Sequence, residues 1–188
     1  MNATDPFVFL VYALFQLYLF IVLLRYVLQL FRASFFNPVS QLVVRATDPL
    51  LRPLRRLLPA MGRHDIAALV LAFVLNLLMW LIIAAIQGVS PSVGALLVKS
   101  VASLLTQAID LFFWAVLIRA ILSWVASGNR NPAVALIEEI TDPLLAPVQK
   151  ILPPLGGIDL SPLAVLLALQ FVSIAIQAWV LPALIGVL

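Results

Sequence analysis

The sequence predicts an all-α membrane protein with four transmembrane helices in two parallel-repeat hairpins, each with an amphipathic, proline-kinked helical loop at the cytoplasmic interface. Three observations predict this fold. Of the 188 residues, 64% are hydrophobic and only 10% are charged, whereas about 25% are charged in an ordinary soluble domain. Four apolar stretches reach the length of about 20 residues that crosses a bilayer. Finally, adding 94 to a residue number in the first half gives an equivalent residue in the second.

The internal duplication is clearest in the stretches 37–65 and 131–159. Between residues 37 and 59, 11 of 23 positions are identical to their partners, far more than chance allows. The chain therefore divides into a first repeat, residues 1–92, and a second repeat, residues 93–188. The shared motif positions are Asn37, Pro38, Thr47, Asp48, Pro49, Pro53 and Pro59, with the partners Asn131, Pro132, Thr141, Asp142, Pro143, Pro147 and Pro153.

The predicted transmembrane helices follow the same offset. In the first repeat they span residues 7–31 and 66–86, on either side of the loop 37–65. In the second they span residues 101–125 and 160–181, on either side of the loop 131–159. The connection 87–100 is rich in turn residues, although residues 93–98 also suit an earlier start of the third helix.

Each duplicated loop is expected to contain short helical segments separated by kinks. Asn37-Pro38 places a favoured N-cap before a proline in the first helical position. Thr47-Asp48-Pro49 repeats this arrangement, so Asp48 is interpreted as a second cap, and Asp142 likewise. Pro53 and Pro147 then fall where a helix interior would lose a hydrogen bond and meet a steric clash.

Three further polar positions precede the transmembrane helices that leave the loops. Asp65 and Asp159 are interpreted as caps of those helices, and in the second repeat Ser161, followed by Pro162, is an alternative cap.

The loops are also amphipathic. At 100° per residue, five leucines of the first loop fall within an arc of about 120°, and three arginines fall opposite them. This pattern is typical of a helix in the membrane interface, near anionic lipid headgroups rather than nucleic acid. A surface helix packed on its own protein is the alternative, and both can hold. The residues are Leu50, Leu51, Leu54, Leu57 and Leu58, opposite Arg52, Arg55 and Arg56.

Lysine and arginine counts in short loops predict the orientation. The first duplicated loop, with Arg32 before it, contains six arginines, whereas the connection between the repeats contains only Lys99. Both duplicated loops are therefore expected in the cytoplasm and both termini in the periplasm.

Polar residues at membrane depth are functional candidates because burying them in lipid is costly. Arg25 and its partner Arg119 either extend to the headgroups or reach the neighbouring duplicated loop. Asp110 has three open interpretations: a polar bridge to Asn76, Gln16 or Gln170, a wetted position near the interface, or a proton or cation pathway.

The sequence contains no recognisable catalytic, cofactor or metal motif. It has no cysteine and only one histidine, His64, which in a basic loop makes neither a metal site nor a triad. No glycine-rich nucleotide loop is present. The sequence is therefore expected to be that of a non-enzymatic protein without a cofactor.

The second repeat contains a series of motif residues: Arg119, Ser123-Trp124, Asn131-Pro132, Thr141-Asp142-Pro143, Pro147, Leu152-Pro153-Pro154 and the run 157–162. In these residues it resembles the YGGT repeat of the YggT/YlmG family, a group of bacterial and plastid integral membrane proteins. The first repeat departs at Leu30, at Arg63-His64 and at Ala67-Ala68. The resemblance implies an inner-membrane location and no established catalytic activity, and it links the chain to osmotic or ion homeostasis, to envelope organisation and, in plastids, to cytochrome b maturation.

Two functions are therefore expected as alternatives. The first is a scaffold or assembly factor that organises a membrane protein partner or lipids through its interfacial layer. The second is a small transporter or channel component in osmotic or cation homeostasis, which would need a homo-oligomer because four helices enclose little pore volume.

Overall fold

The computed structural model describes residues 6–125, 131–152 and 159–182, and the regular elements in those ranges are helical. Four of the helices are long and apolar enough to span a bilayer: α1, α3, α4, and α6 together with its π-helical extension. The helices are α1 (Pro6–Leu30), α2 (Pro38–Leu57), α3 (Ile66–Ile86), α4 (Val93–Val125), α5 (Pro132–Ile151) and α6 (Ser161–Ala175), the last continuing into a π-helical segment, Ile176–Val180.

The start of α4 corrects the predicted span 101–125. The helix begins at Val93 because the Ser92 hydroxyl accepts the Ala95 N–H at 3.1 Å and so caps the first turn. The bounds of the other three spans lie within one residue of their predicted limits.

The helices α2 and α5 are each continuous over 20 residues, so the expectation of short, separate segments is wrong. Pro49 and Pro53 lie inside α2, and Pro143 and Pro147 lie inside α5. A proline removes the hydrogen bond to the carbonyl four residues earlier. In α2 the two carbonyls belong to Arg45 and Pro49, which are exposed, so water can replace the missing donors.

Because the two helices are continuous, Asp48 and Asp142 lie in their middles and cap nothing, which corrects a second expectation. The caps are Asn37 and Asn131. Each side-chain oxygen accepts the N–H of the residue two positions further on, at 2.9 Å. An Asp-Pro pair is a sequence signal for the start of a helix, but here each pair lies inside a helix that starts about ten residues earlier.

The two apolar helices of each repeat pack against each other, and the two pairs meet through α3 and α4. α1 packs against α3, and α4 packs against α6. Hydrogen bonds join the two halves at depth: Asn76 donates to the Ser103 hydroxyl at 3.2 Å, and Gln107 donates to the Gln16 carbonyl at 2.9 Å. Both bonds connect α4 to helices of the first repeat.

The amphipathic helices α2 and α5 contact each other. The Asn37 amide donates to the Pro132 carbonyl at 2.6 Å, and the Ser34 N–H donates to the Glu139 carboxylate at 3.0 Å. The C-terminal ends of α1 and α4 both lead to this pair, so α2 and α5 form one layer at one end of the bundle. We call it the α2–α5 layer.

Candidate functional site

In each repeat an arginine of an apolar helix reaches an aspartate of the following amphipathic helix. The Arg25 guanidinium lies 3.9 Å from the Asp48 carboxylate, and the Arg119 guanidinium lies 2.5 Å from the Asp142 carboxylate. Arg25 is only 5% exposed. Of the two alternatives left open by the sequence, the structure therefore has both arginines turned to the α2–α5 layer.

The arrangement in the second repeat is compact. Arg119 also donates to the Thr141 hydroxyl at 2.8 Å, and that hydroxyl donates to the Ile137 carbonyl at 2.6 Å. The equivalent hydroxyl of Thr47 donates to the Val43 carbonyl at 2.8 Å. Both threonines are fully buried, and this bond within the helix satisfies their hydroxyl donors.

The arrangement in the first repeat is looser because a third side chain takes part. Arg52 lies 3.0 Å from the Asp48 carboxylate, one helical turn away. At the equivalent place the second repeat has Ala146, so Asp142 has no such competitor there. Arg25 consequently retains two buried nitrogen donors, Nε and Nη1, without a hydrogen-bond partner.

A second contact joins the end of each amphipathic helix to the start of the next apolar helix. Arg55 forms an ion pair with Asp65, which is fully buried and caps α3 by accepting the Ala68 N–H at 3.2 Å. In the second repeat, Gln149 donates to Asp159 at 2.9 Å instead. Both repeats thus have a side-chain contact at this place, but the donor is charged in the first repeat and neutral in the second.

The pKa of Asp159 lies below its ordinary value. Burial acts to raise the pKa, but the hydrogen bonds from Ser161 and Gln149 and the charge of Arg119 outweigh it. The Ser161 N–H donates to Asp159 at 2.8 Å. Of the two predicted caps at this place, it is Asp159 that accepts a backbone N–H.

The remaining intramembrane candidates do not converge on one site. Asn76 is fully buried and bonds to Ser103, while Asp110 and Gln170 are exposed. The predicted polar bridge from Asp110 is therefore wrong among the residues described, because its expected partners bond elsewhere or lie at the surface. Periodicity alone could not show which side of α4 faces the neighbouring helices.

The motif prolines lie at the helix boundaries or inside the amphipathic helices. Pro38, Pro132 and Pro162 lie in the first turns of α2, α5 and α6. Pro59 follows the end of α2. Pro153 lies outside the described residues.

The described ranges contain no group of three or more metal-ligating side chains. The His64 ring shares a hydrogen bond of 2.9 Å with the Tyr26 hydroxyl. The site as described consists of charged and amide groups that join helices to one another.

An exposed apolar stripe on α2 was not distinguished by the sequence reasoning. Helical periodicity places the leucines of this helix on one arc, whereas the structure buries Leu51 and leaves Leu50 and Leu57 exposed. The exposed members recur at intervals of three or four residues and so share one side of the helix. We call them the α2 edge, which consists of Leu42, Ala46, Leu50, Pro53 and Leu57.

The equivalent positions on α5 are partly covered. Leu136 and Ile140, the partners of Leu42 and Ala46, are buried in the apolar cluster that also contains side chains of α1, α2 and α3. At its C-terminal end α5 is again exposed, at Ile151. The same stripe is therefore packed in the helical core in one copy and exposed in the other.

Comparison with known proteins finds one family and several bacterial relatives that extend over most of the chain. The sequence pattern of the CCB3/YggT family matches residues 4–86 and 98–180. The chain is 45% identical to an uncharacterized protein of Pseudomonas aeruginosa, over 90% of this chain and 87% of that one. It is 43% identical to an uncharacterized protein of Vibrio alginolyticus (88% and 90%) and 36% identical to the uncharacterized protein YggT of Escherichia coli K12 (89% and 87%). No solved structure matches the chain.

Proposed function

The chain belongs to the CCB3/YggT family, and from that premise we propose that it is a non-enzymatic scaffold or assembly factor of the bacterial inner membrane. The α2–α5 layer lies at the cytoplasmic boundary, with both termini in the periplasm. The partner is an integral membrane protein that places an apolar helix against the α2 edge.

The observation that carries this proposal is the different fate of one stripe in the two repeats. On α5, Leu136 and Ile140 are buried in the apolar core, so the stripe already serves as a helix-packing surface within the chain. On α2, Leu42 is 64% and Leu57 79% exposed. A surface of the same origin that packs in one copy and is uncovered in the other is suited to pack against a partner.

The charge on α2 supports the cytoplasmic side and the interfacial position. Arg45, Arg52 and Arg56 are exposed and lie on the side of the helix away from the buried Thr47. Arginine in a short loop close to membrane spans favours the cytoplasmic side. Side chains of this kind also attract the anionic headgroups of that leaflet.

Site-specific photocrosslinking in native membranes tests the proposal. A photoreactive residue is introduced at Leu50 or Leu57 on the α2 edge and, as the matched control on the same helix, at Arg52 or Arg56. The proposal expects a discrete adduct with an integral membrane protein from the edge positions and none from the control positions. Identical adducts from both sets, or lipid adducts alone, contradict it.

A transporter or channel role is the second candidate, and the position of Asp110 favours it. This carboxylate lies within α4 and is exposed, and no described side chain bonds to it. An unpaired acid at this depth suits a homo-oligomer in which several copies face a common aqueous path. Cation flux into proteoliposomes that is abolished by D110N supports this role, and absence of flux with the unmodified protein removes it.

A further inference from the structure

A pocket of about 500 Å³ opens between the end of α1, the end of α2 and the turn before α3. Four of the side chains that line it are arginines, Arg25, Arg32, Arg55 and Arg63, and none is acidic. Its volume falls within the range of roughly 300–1,000 Å³ that is typical of small-molecule sites. The pocket is independent of the α2 edge, none of whose residues lines it.

Two of the arginines that line the pocket also carry buried hydrogen-bond donors that the protein leaves unused. Nε and Nη1 of Arg25 and Nε of Arg55 are buried and have no partner within the structure. Buried polar groups in native proteins almost always have a partner, so each exception needs an explanation. The Arg25 guanidinium also lies 5.7 Å from the centre of the Phe35 ring, a contact that fixes the group without using its N–H donors.

The local charge is positive after all ion pairs are counted. The two carboxylates in contact with the pocket arginines are Asp48, which Arg52 shares, and Asp65, which pairs with Arg55. The four lining arginines and Arg52 together carry five positive charges against these two negative ones, which leaves a balance of +3. An anion of charge −1 or −2 can enter without reversing that balance.

Backbone turns bring two of the arginines to the pocket, one of them from a conformation that ordinarily favours glycine. Arg32 follows the end of α1 with φ of 55°, a left-handed conformation that glycine usually adopts after a helix. Arg63 follows Gly62, whose φ of 62° makes the turn closed by the backbone pair of Met61 and His64. The chain thus keeps an arginine side chain at Arg32 despite an unfavourable backbone conformation.

The second repeat has lost this charge although it keeps the frame. The residues equivalent to Arg32, Arg55 and Arg63 are Ala126, Gln149 and Gly157, and only Arg25 has an arginine as its partner. The contacts that join the helices persist in both repeats, through Arg119 and Gln149 in the second. Arg32 and Arg63, whose side chains make no ion pair within the described residues, are therefore not required to hold the layer on the bundle.

We propose that this pocket binds a phosphate group. The planar guanidinium fork matches phosphate oxygens with two parallel N–H···O bonds, and several such groups converge here. Arg25 lies about one and a half turns inside the C-terminal end of α1, at the depth where headgroups of the adjacent leaflet meet the protein. The phosphate belongs either to an anionic phospholipid of that leaflet or to a soluble phosphate compound.

Isothermal titration calorimetry on the full chain, delipidated in a neutral maltoside detergent, tests the site. The two probes are inorganic phosphate and the short-chain lipid dihexanoyl phosphatidylglycerol. The test variant is R32A/R63A, in which both replaced side chains are exposed and make no ion pair within the described residues. The control is R45A/R56A, which removes the same charge from exposed positions outside the pocket.

We expect the unmodified chain to bind at least one probe, R32A/R63A to bind it at least about tenfold more weakly, and R45A/R56A to change the affinity by less than about threefold. Binding of the lipid without inorganic phosphate assigns the site to a headgroup, and binding of inorganic phosphate assigns it to a soluble compound. The proposal is overturned if neither probe binds, or if both variants lose affinity equally, because that would show general charge attraction.

Discussion

Replacing Arg55 with alanine removes the ion-pair partner that a fully buried carboxylate has among the described residues. The Asp65 side chain is 0% exposed, and after the change the Ala68 N–H is its remaining hydrogen-bond donor within the described ranges. Breaking a buried pair in this way costs about 3–5 kcal/mol. Because the Arg55 side chain is 28% exposed and solvent screens part of the interaction, we expect a loss of about 1–3 kcal/mol.

For a chain of this length that loss lowers the Tm by roughly 2–12 °C, which circular dichroism melting in detergent can measure. Adding D65N to the variant removes the stranded charge and keeps a good cap, because asparagine caps as well as aspartate. The double variant R55A/D65N should therefore recover most of the loss. Q149A, the matched change in the second repeat, should alter the Tm little, since its partner Asp159 is exposed.

A Tm of R55A/D65N no higher than that of R55A alone would contradict a stabilising role of the Arg55 charge. That result would mean that Arg55 stabilises the fold by packing its side-chain stem rather than by compensating a buried charge.

Three further outcomes are expected. Asn37→Ala should destabilise the chain by about 1–2 kcal/mol, more than Asn131→Ala, because both remove a cap but only Asn37 also donates to the other repeat; melting curves compare them. The folded pKa of Asp159 lies below its unfolded value of about 3.9, so its stabilising effect is present above that value and is lost as the pH falls through the folded pKa. Between about pH 6 and pH 3, the Tm of D159N should therefore fall less steeply than the Tm of the unmodified chain. Single cysteines at Arg56 and Lys150 should react with an impermeant thiol reagent from the same side of the membrane, and labelling from opposite sides would rule out the common layer.

Much of the fold could be predicted from the sequence because lipid imposes a simple rule on it. Apolar runs of about 20 residues are stable in a bilayer as helices. Because of the 94-residue offset, each run also has an equivalent in the other repeat that supports the same assignment. The prediction failed where a proline or an Asp-Pro pair has two meanings. Pro53 breaks a buried helix, but on the exposed side of α2 water can bond the freed carbonyl, and sequence alone does not say which side a residue faces.

The site could be predicted only in part for a similar reason. The offset of 94 paired Arg25 with Arg119 and placed both near the duplicated loops, which left the contact with Asp48 or Asp142 as one of two alternatives. Nothing local indicated that Arg52 would compete for Asp48. The pocket was missed because its residues come from α1, α2 and the turn before α3, and only packing brings them together. Its one sequence signal was that the first loop is far more basic than the second.

In the functions proposed above, the two repeats divide structural and binding roles between them. A position kept in both copies, such as Arg25 with Arg119 or Asp65 with Asp159, makes a contact that joins helices in each half. The fold places the same structural constraints on equivalent positions of both repeats. A position whose residue differs between the repeats therefore indicates that its surroundings differ. By this criterion the α2 edge and the arginine pocket, both in the first repeat, are the parts of the molecule free to serve binding. In the second repeat the equivalent stripe is half buried and the loop lacks the extra arginines, so this repeat serves mainly to pack against the first.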